Sequence, residues 1–550
     1  MTGDDTPFFL RPVFVRAACD DADFPADLSS ALLQVAARIA GDPSIRALAQ
    51  TRHIELYRTE PFPTQQVRVW PLLADDRHPD ADLIYVLIAL SGVPEMRALY
   101  HRRGISDTIY RHGLTDLLRW MQQYRTHLSP TGAWGLAPRY LTWLRHHFKG
   151  ELFHLGRLQF EPGAASTGAH FFRHVASGRV LALSDAGETY RSDGQLQGAG
   201  GVTDPDGTWT ATFHRDETRA AGYPMSPYGH AMRDLVSLPL DAWHPVLSPG
   251  DPVLNVHMPA GSPMGFEACG ESFAQALEFF PRHFPERPFA AFTCSSWLLD
   301  PQLDGPLMPE SNIVRFQRQV YLLPSASDGK STLDRVFGRT ELDTATAPRD
   351  TALRRAVLDL LAGGGHIRSG RCVVFPEDIR TGAWGAQQYR RTTLKRKAFA
   401  YVTHRDAEGE RLLIFSHPEA PEAGLQVPAG TIEEGEDPAA GALREAREET
   451  GLTELELVGA LGEHLKDRRD RGMDELHHRY FFHIRCTDTS PPVRWRTYEE
   501  SPSDQLAAGV APAAVERHLF EHFWVRLPDD VPPLTPDHDR FLPELMRRIG

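Results

Sequence analysis

The 23 residues from Gly430 to Leu452, GTIEEGEDPAAGALREAREETGL, constrain this chain more than any other stretch. Asp437 can cap a helix that starts at Pro438. Ala439, Ala440, Ala442 and Leu443 favour helix, and Gly451 supplies a stop just past its end. The spacing therefore predicts a helix over about 438–450. Glu445, Glu448 and Glu449 are three and four residues apart or adjacent, so their carboxylates share one face. Like charges there repel, and close to a helix C-terminus the dipole disfavours each anion by roughly 0.3–1 kcal/mol. Arg444 and Arg447 offset part of this. A hard divalent cation accounts for the arrangement, because Mg2+ takes oxygen ligands and shares them with substrate phosphates. On these residues alone, a charged helix facing solvent is the alternative.

The remaining chain sets the context. At 550 residues it is too long for one hydrophobic core, so several domains are expected. The net charge of -14 argues against a general nucleic-acid-binding surface. Residues 401–550 hold 17 Lys plus Arg against 30 Asp plus Glu, so nearly all of that charge lies in the last part. The start, Met1 to Phe14, lacks the basic region and longer apolar core of a secretory signal. No uncharged apolar run approaches the length of a membrane span. Cys19, Cys269, Cys294, Cys372 and Cys486 are scattered, with no CxxC, and read as reduced thiols of a cytoplasmic protein.

Along the chain the texture changes twice. Residues 1–150 read as helical, with Asp27–Ile39 and Ile105–Tyr124 showing apolar residues at helical spacing. From 151 to 375 short strands alternate with turns and helices. Leu155–Phe160, Phe171–Leu183, Trp209–Phe213, Val253–Met258, Phe289–Cys294 and Val320–Leu323 read as strands. A helix from Glu267 to Phe280 is expected to close at Pro281, and Asn312–Gln319 and Ala352–Leu361 read as further helices. Residues 376–394 have weak periodicity and read as a linker. From 395 to 550, strands are expected at Phe399–Thr403, Arg411–Phe415, Leu455–Leu461, Arg479–Arg485 and His522–Leu527, followed by a helical segment at Arg540–Ile549. The fold class is thus multidomain α/β.

The full pattern at 430–452 resembles the signature of the Nudix hydrolases at Gly430, Glu436, Arg444, Glu445, Ala446, Glu448, Glu449, Gly451 and Leu452. A chance match is on the order of one in a million. The resemblance implies an α/β/α sandwich and hydrolysis of a nucleoside-diphosphate-type linkage. It implies that Glu445, Glu448 and Glu449 ligate Mg2+ or Mn2+, with Glu448 or Glu449 as proton acceptor. Arg444 and Glu436 would fix those carboxylates, and Gly430 would let a backbone carbonyl face the metal. The lead-in Gln426-Val427-Pro428-Ala429-Gly430 is similar to that of members acting on ADP-ribose-like compounds. A further ligand or base is expected outside the box, with Glu499, Glu500, Glu516 and Glu521 as candidates. Tyr480, Phe481, Phe482 and Trp495 can stack on a base or fill a core. Lys466, Arg468, Arg469 and Arg471 can meet phosphate or lie in a solvated loop.

Upstream, the strings HLGRLQFE (His154–Glu161), VLNVHMPAGSP (Val253–Pro263), EACGESFAQALEFFPRHFP (Glu267–Pro285), SSWLLDPQL (Ser295–Leu303) and SNIVRFQRQVYLLP (Ser311–Pro324) resemble a GNAT-related acyltransferase family. Its members pair a helical N-terminal domain with a GNAT-like C-terminal domain. The resemblance implies acetyl-CoA or another acyl-CoA as co-substrate. A strand feeding a Gly/Pro loop and a helix N-terminus suits a pyrophosphate. Asn255, His257, Gly261 and Ser262 are the candidate contacts to the cofactor, although the loop departs from the usual R/QxxGxG/A. His257 reads as a proton carrier or as a packed structural histidine. Glu267, Cys294 and Ser296 are further acid, base or thiol candidates, and Arg157, Arg315 and Arg318 can bind phosphate or form salt bridges. Alternatively this half is a non-catalytic binding module serving the hydrolase, or it is primary and the hydrolase removes a by-product. The expected partners are a nucleoside diphosphate derivative and an acyl-CoA, with no membrane.

Overall fold

The computed structural model describes residues 6–205, 207–259, 263–304, 306–308, 310–327, 329–363, 365–382, 384, 393–433, 436–468, 475–498 and 518–549. The N-terminal region is built from α1 (Pro12–Asp21), α2 (Ala26–Gly41), α3 (Pro43–Tyr57), α4 (Thr64–Arg68), α5 (Leu83–Leu90), α6 (Val93–Arg103), α7 (Asp107–His127) and α8 (Leu141–Phe148). Every residue of α5 is buried, which is how a helix apolar on all sides is accommodated in a protein core. The stretch Leu83–Arg103 is long and apolar enough to cross a membrane, yet 72% of its 18-residue apolar window is buried among its neighbours. Ser106 caps α7 by accepting the Ile109 N–H, and Leu114, Leu117 and Met121 face the core at the spacing the sequence predicts.

Strands β1 (Phe153–Leu155) and β2 (Leu158–Ala164) open the next region. The single strand expected at Leu155–Phe160 is in fact this hairpin: Gly156, at φ +64°, lets Leu155 pair with Leu158 across a two-residue turn. Likewise Phe171–Leu183 divides at Gly178, at φ +69°, into β3 (Ala169–His174) and β4 (Val180–Ser184). Next come β5 (Thr189–Tyr190), β6 (Trp209–Thr210), β7 (Phe213–Arg215), β8 (Arg219–Gly222), β9 (Pro224–Ser226), β10 (His230–Ala231), β11 (Val236–Pro239) and β12 (Trp243–Leu247). The run Trp209–Phe213 is therefore two strands. These short strands form small sheets, the largest in the order β10-β9-β4-β3-β12.

The chain then returns through β13 (Pro252–His257), α9 (Phe266–His283), β14 (Ala291–Ser296), α10 (Asn312–Gln317), β15 (Tyr321–Pro324), α11 (Lys330–Phe337), α12 (Ala352–Ala362), β16 (Gly370–Val374) and α13 (Pro376–Arg380). Helix α9 does not stop at Pro281. A proline in the last turn removes one N–H donor there, and the helix runs on to His283. The main sheet has the order β1-β2-β13-β14-β16-β15. Among the described residues only β13 and β14 run parallel in it, and α9 is the crossover that a parallel pair requires. Leu254, Val256, Phe292 and Cys294 share a core with Phe273 and Phe280 of α9 and with the N-terminal helices. Val253, Ala291 and Val373, on the opposite face, pack against Phe171 and Ala182 of the second sheet. Beyond α13, Trp384 stacks on Phe266 at 5.2 Å and lies over Gly270, where a Cβ would approach the indole to 2.6 Å.

The last region consists of β17 (Thr393–Asp406), β18 (Gly409–Ser416), β19 (Ala429–Thr431), α14 (Pro438–Thr450), β20 (Leu455–Asp467), β21 (Glu475–Cys486), β22 (Arg494–Tyr498), β23 (Leu519–Arg526) and a terminal helix α15 (Leu542–Ile549). Its sheet runs β20-β21-β17-β18-β23-β22, with β19 paired to β17. Alternation along β17 and β21 builds two layers. Ala398, Ala400, Val402, Phe482 and Ile484 meet Ala442 and Ala446 of α14. Phe399, Tyr401 and Phe481 meet Phe541 and Leu545 at the other face. Burial of each aromatic there contributes about 1.5–3 kcal/mol. The three-part architecture expected from the sequence is what the chain adopts: helical region, mixed α/β region and C-terminal sandwich.

Candidate active sites

The sandwich site starts from the cap of α14. Asp437 accepts the N–H groups of Ala439 and Ala440 at 3.0 and 3.1 Å, and Gly451 ends the helix at φ +71°. This fixes where the last turns point. Arg444 is the hub. Its Nε and Nη2 donate to the two oxygens of Glu436, each at 2.9 Å. Nη1 donates to Glu445 at 2.9 Å and to Glu448 at 3.2 Å, and Nη2 also reaches the Thr431 carbonyl. The guanidinium bonds hold the Glu436 carboxyl down to about 2 and push the Arg444 pKa up. Burial pushes the Glu445 carboxyl up, against the pull of Arg444.

Gly430 is required by close approach. It lies in β19, opposite Ala398 of β17, and a Cβ there would sit 1.9 Å from the Glu445 carboxyl group. Glu449 is 8% exposed and accepts the Ala429 N–H at 3.0 Å, whereas the Glu448 side chain is 61% exposed. Gly430, Glu436, Arg444, Glu445, Glu448 and Glu449 are therefore gathered where β19 meets α14. Lys397 joins them without any sequence signal. It projects from β17, donates from Nζ to Thr431 Oγ1 at 2.7 Å, and burial lowers its pKa although Glu445 and Glu449 oppose this.

Of the candidates outside the box, Glu499, Glu500 and Glu516 lie outside the described residues. Glu521 is paired with Arg494 and Arg496, each at 2.9 Å, and belongs to the face of β22 and β23 turned away from α14. The face turned toward α14 carries Trp495, which donates to the Thr450 carbonyl, and Thr497, which donates to that of Glu449. Phe481 and Phe482 fill the two cores, and Tyr480 bonds His478. Lys466 pairs with Asp537 at 3.3 Å, and Arg469 and Arg471 lie outside the described residues.

The donors at this site are oxygens, as a hard cation demands. Among the described residues no three His, Cys, Asp or Glu side chains converge into a ready cage. Mg2+ needs no ready cage, since water and substrate phosphate complete its octahedron around the carboxylates the protein offers. The desolvated Glu445, beside Glu449 and the Gly430 backbone, fits that requirement.

One side chain ties this site to the region before it. Arg396 of β17 donates to the carbonyls of Glu433 and Glu436, at 3.4 and 2.9 Å, and its Nε lies 3.3 Å from Asp234 in the β10–β11 loop.

The second site lies between β13 and β14. Their ladder ends at Asn255–Thr293, although β13 continues along β2 to His257 and β14 continues along β16 to Ser296. Past that point the two strands no longer pair with each other, and the edges of Val256–His257 and Cys294–Ser296 that face this wedge lie outside the β13–β14 ladder. Asn255 Oδ1 accepts from Thr293 Oγ1 at 2.9 Å and pins the apex. His257 sits at the open end, with Nε2 3.3 Å from Glu161 and the ring edge-on to Trp143 at 4.7 Å. Gly261 and Ser262 lie outside the described residues. The other candidates have structural partners. Ser296 caps the Leu298 N–H, Glu267 pairs with Arg315 at 2.7 Å, and Arg318 pairs with Asp304 at 2.6 Å. Arg157 donates to the Pro263 carbonyl at 3.0 Å. Cys294 is buried opposite Cys372.

Comparison with known family models agrees with the three-part architecture. Residues 14–150 match the family model of the N-acyltransferase N-terminal domain, residues 152–374 that of the GNAT-like C-terminal domain, and residues 394–545 that of the NUDIX domain. No curated protein matches the chain. Among solved structures, an acyltransferase in complex with decanoyl-CoA and teicoplanin is 24% identical, with a TM-score of 0.45, over 66% of this chain and 87% of that one. A MutT protein from Methanosarcina mazei Go1 is 15% identical, with a TM-score of 0.19, over 29% of this chain and 99% of that one. A UDP-X diphosphatase is 14% identical, with a TM-score of 0.20, over 40% of this chain and 93% of that one. The chain is thus a GNAT-like domain, with the N-acyltransferase N-terminal domain before it, fused to a C-terminal NUDIX domain.

Proposed function

We propose that the C-terminal domain hydrolyses the diphosphate linkage of an ADP-ribose-like nucleoside diphosphate derivative, with Mg2+ or Mn2+ held by Glu445, Glu448, Glu449 and the Gly430 carbonyl. The observation that carries this reading is the Arg444 clamp, which gathers Glu436, Glu445 and Glu448 around one guanidinium. In the reaction, water adds to one phosphorus, the bridging P–O bond breaks, and two phosphate monoesters and two protons result. When bound, the cation neutralises phosphate oxygens and lowers the pKa of the attacking water. Glu448, the most exposed of the three carboxylates, takes the proton from that water. Glu449, anchored by the Ala429 N–H, would be one of the residues that hold the cation. Arg444 keeps the remaining carboxylates from turning away. A Mg2+-dependent screen of nucleoside diphosphate derivatives with wild type and Glu448→Gln tests this. Unchanged hydrolysis in the variant would remove Glu448 from the reaction.

The open wedge favours a second activity for the GNAT-like half, transfer of an acyl group from acetyl-CoA or a longer acyl-CoA to an amine. The facing edges of β13 and β14 offer backbone groups to the amides of the pantetheine arm, and His257 stands where a proton must be taken up. If CoA esters bind without turnover with any amine, this half is a binding module serving the hydrolase. We also place the chain in the cytoplasm, on its five free and buried cysteines.

A further inference from the structure

His257 does not stand alone at the wedge. Glu161 of β2 approaches it with Oε2 at 3.3 Å, and its other oxygen lies 3.2 Å from His146 Nδ1 of α8, at ion-pair distance but without hydrogen-bond geometry. His146 Nδ1 is also 3.0 Å from Glu151, in the turn after α8, and that contact is the main reason the Glu151 carboxyl lies below its usual range. Trp143, one turn before His146, supplies the ring edge against His257. Imidazoles and carboxylates thus alternate from the open end of β13 into the N-terminal helical region.

A plain docking seam between the two regions would explain some of this. The molecule already has such a seam elsewhere: Arg103 of α6 pairs with Glu286 at 2.6 Å and donates to the His283 carbonyl. That seam uses a permanently charged guanidinium. The one at the wedge uses two imidazoles in place of a guanidinium, and it ends on a residue 34% exposed at the candidate site.

We propose that Glu161 is a positioning residue for acyl transfer, and that the helical N-terminal region, through His146, helps to hold it. The inference rests on the acyl-transfer reading of the wedge. Glu161 accepts the Nε2–H of His257, which selects the tautomer whose basic nitrogen is Nδ1. The amine nitrogen bonds to the thioester carbonyl carbon and gives its surplus proton to His257 Nδ1. The C–S bond then breaks, and the departing thiolate takes that proton, so His257 ends neutral and the products are an amide and free CoA. Glu161 stabilises the imidazolium formed between the two steps.

The test uses the full chain, decanoyl-CoA and acetyl-CoA as donors and benzylamine as acceptor, with thiol release as the readout and calorimetry for binding of CoA itself. Glu161→Gln is expected to lower kcat about 100-fold with KM for the donor unchanged, and Glu161→Asp to recover part of it. His146→Gln is expected to lower kcat about 10-fold. Arg103→Ala, which cuts the other seam, is expected to lower Tm and leave kcat alone. If Glu161→Gln turns over like wild type, or if it raises KM and lowers Tm in step with Arg103→Ala, the assignment of Glu161 falls while acyl transfer stands. If the wild-type chain binds no CoA and releases no thiol, the acyl-transfer reading falls and takes the assignment with it.

Discussion

In the C-terminal sandwich, one short strand, one loop and one helix carry Gly430, Glu436, Arg444, Glu445, Glu448 and Glu449. At the wedge, Asn255 and His257 come from β13, Thr293 from β14, Glu161 from β2, and Trp143 and His146 from α8. The first site is set by local rules: a cap, a helix period and a glycine stop. The second exists only after a parallel strand pair has formed across the α9 crossover and the helical region has docked. A contiguous site can therefore be disturbed without touching the rest of the chain, whereas a dispersed one is exposed to changes far from it in sequence.

Four measurements break or sharpen that contrast. Glu448→Gln should lower hydrolysis by about 1,000-fold, with Tm and thiol release from acyl-CoA as in wild type. A parallel loss of acyl transfer would show that the two sites are not independent. Gly430→Ala drives a methyl group into the Glu445 carboxyl, so hydrolysis should fall about 100-fold and calorimetry should show a loss of about 1–3 kcal/mol. Asn255→Ala removes the hydrogen bond at the wedge apex and should raise KM for acyl-CoA about 5- to 10-fold, leaving hydrolysis unchanged. The smallest effect concerns pH. Glu436 has a folded pKa near 2 against an ordinary 4.5, so its contribution to stability is full above about 4.5 and is lost as pH falls toward 2. Urea unfolding of Glu436→Gln should lack that component, about 1 kcal/mol after allowance for partial exposure.

The same contrast explains what the sequence disclosed. Asp437, Pro438 and Gly451 placed α14 to the residue, because capping and helix period are local properties. The hairpin at Gly156 and the reversal at Gly178 were hidden inside runs read as single strands, since one glycine at positive φ reverses a chain without interrupting its apolar pattern. Strand β16 and strand β22 carried too few apolar residues in alternation to stand out, and both owe their place to neighbours in the sheet. Lys397 lies on a strand whose identity gives no hint that β19 will set Thr431 beside it. Glu161 was visible only as the end of a family string. Its link to His146 depends on a docking that no local pattern encodes.

Arg396 gives the fusion a practical consequence. A fragment beginning at Thr393 would retain this arginine and its grip on the Glu433 and Glu436 carbonyls, but Asp234 would stay with the discarded half. The guanidinium would lose its acid partner and keep only its bonds to the two carbonyls before α14. Subcloning the sandwich is then not a neutral operation, because the piece lacks a contact that the full polypeptide makes. The NUDIX domain and the GNAT-like region before it thus share a fastening at Arg396 and Asp234.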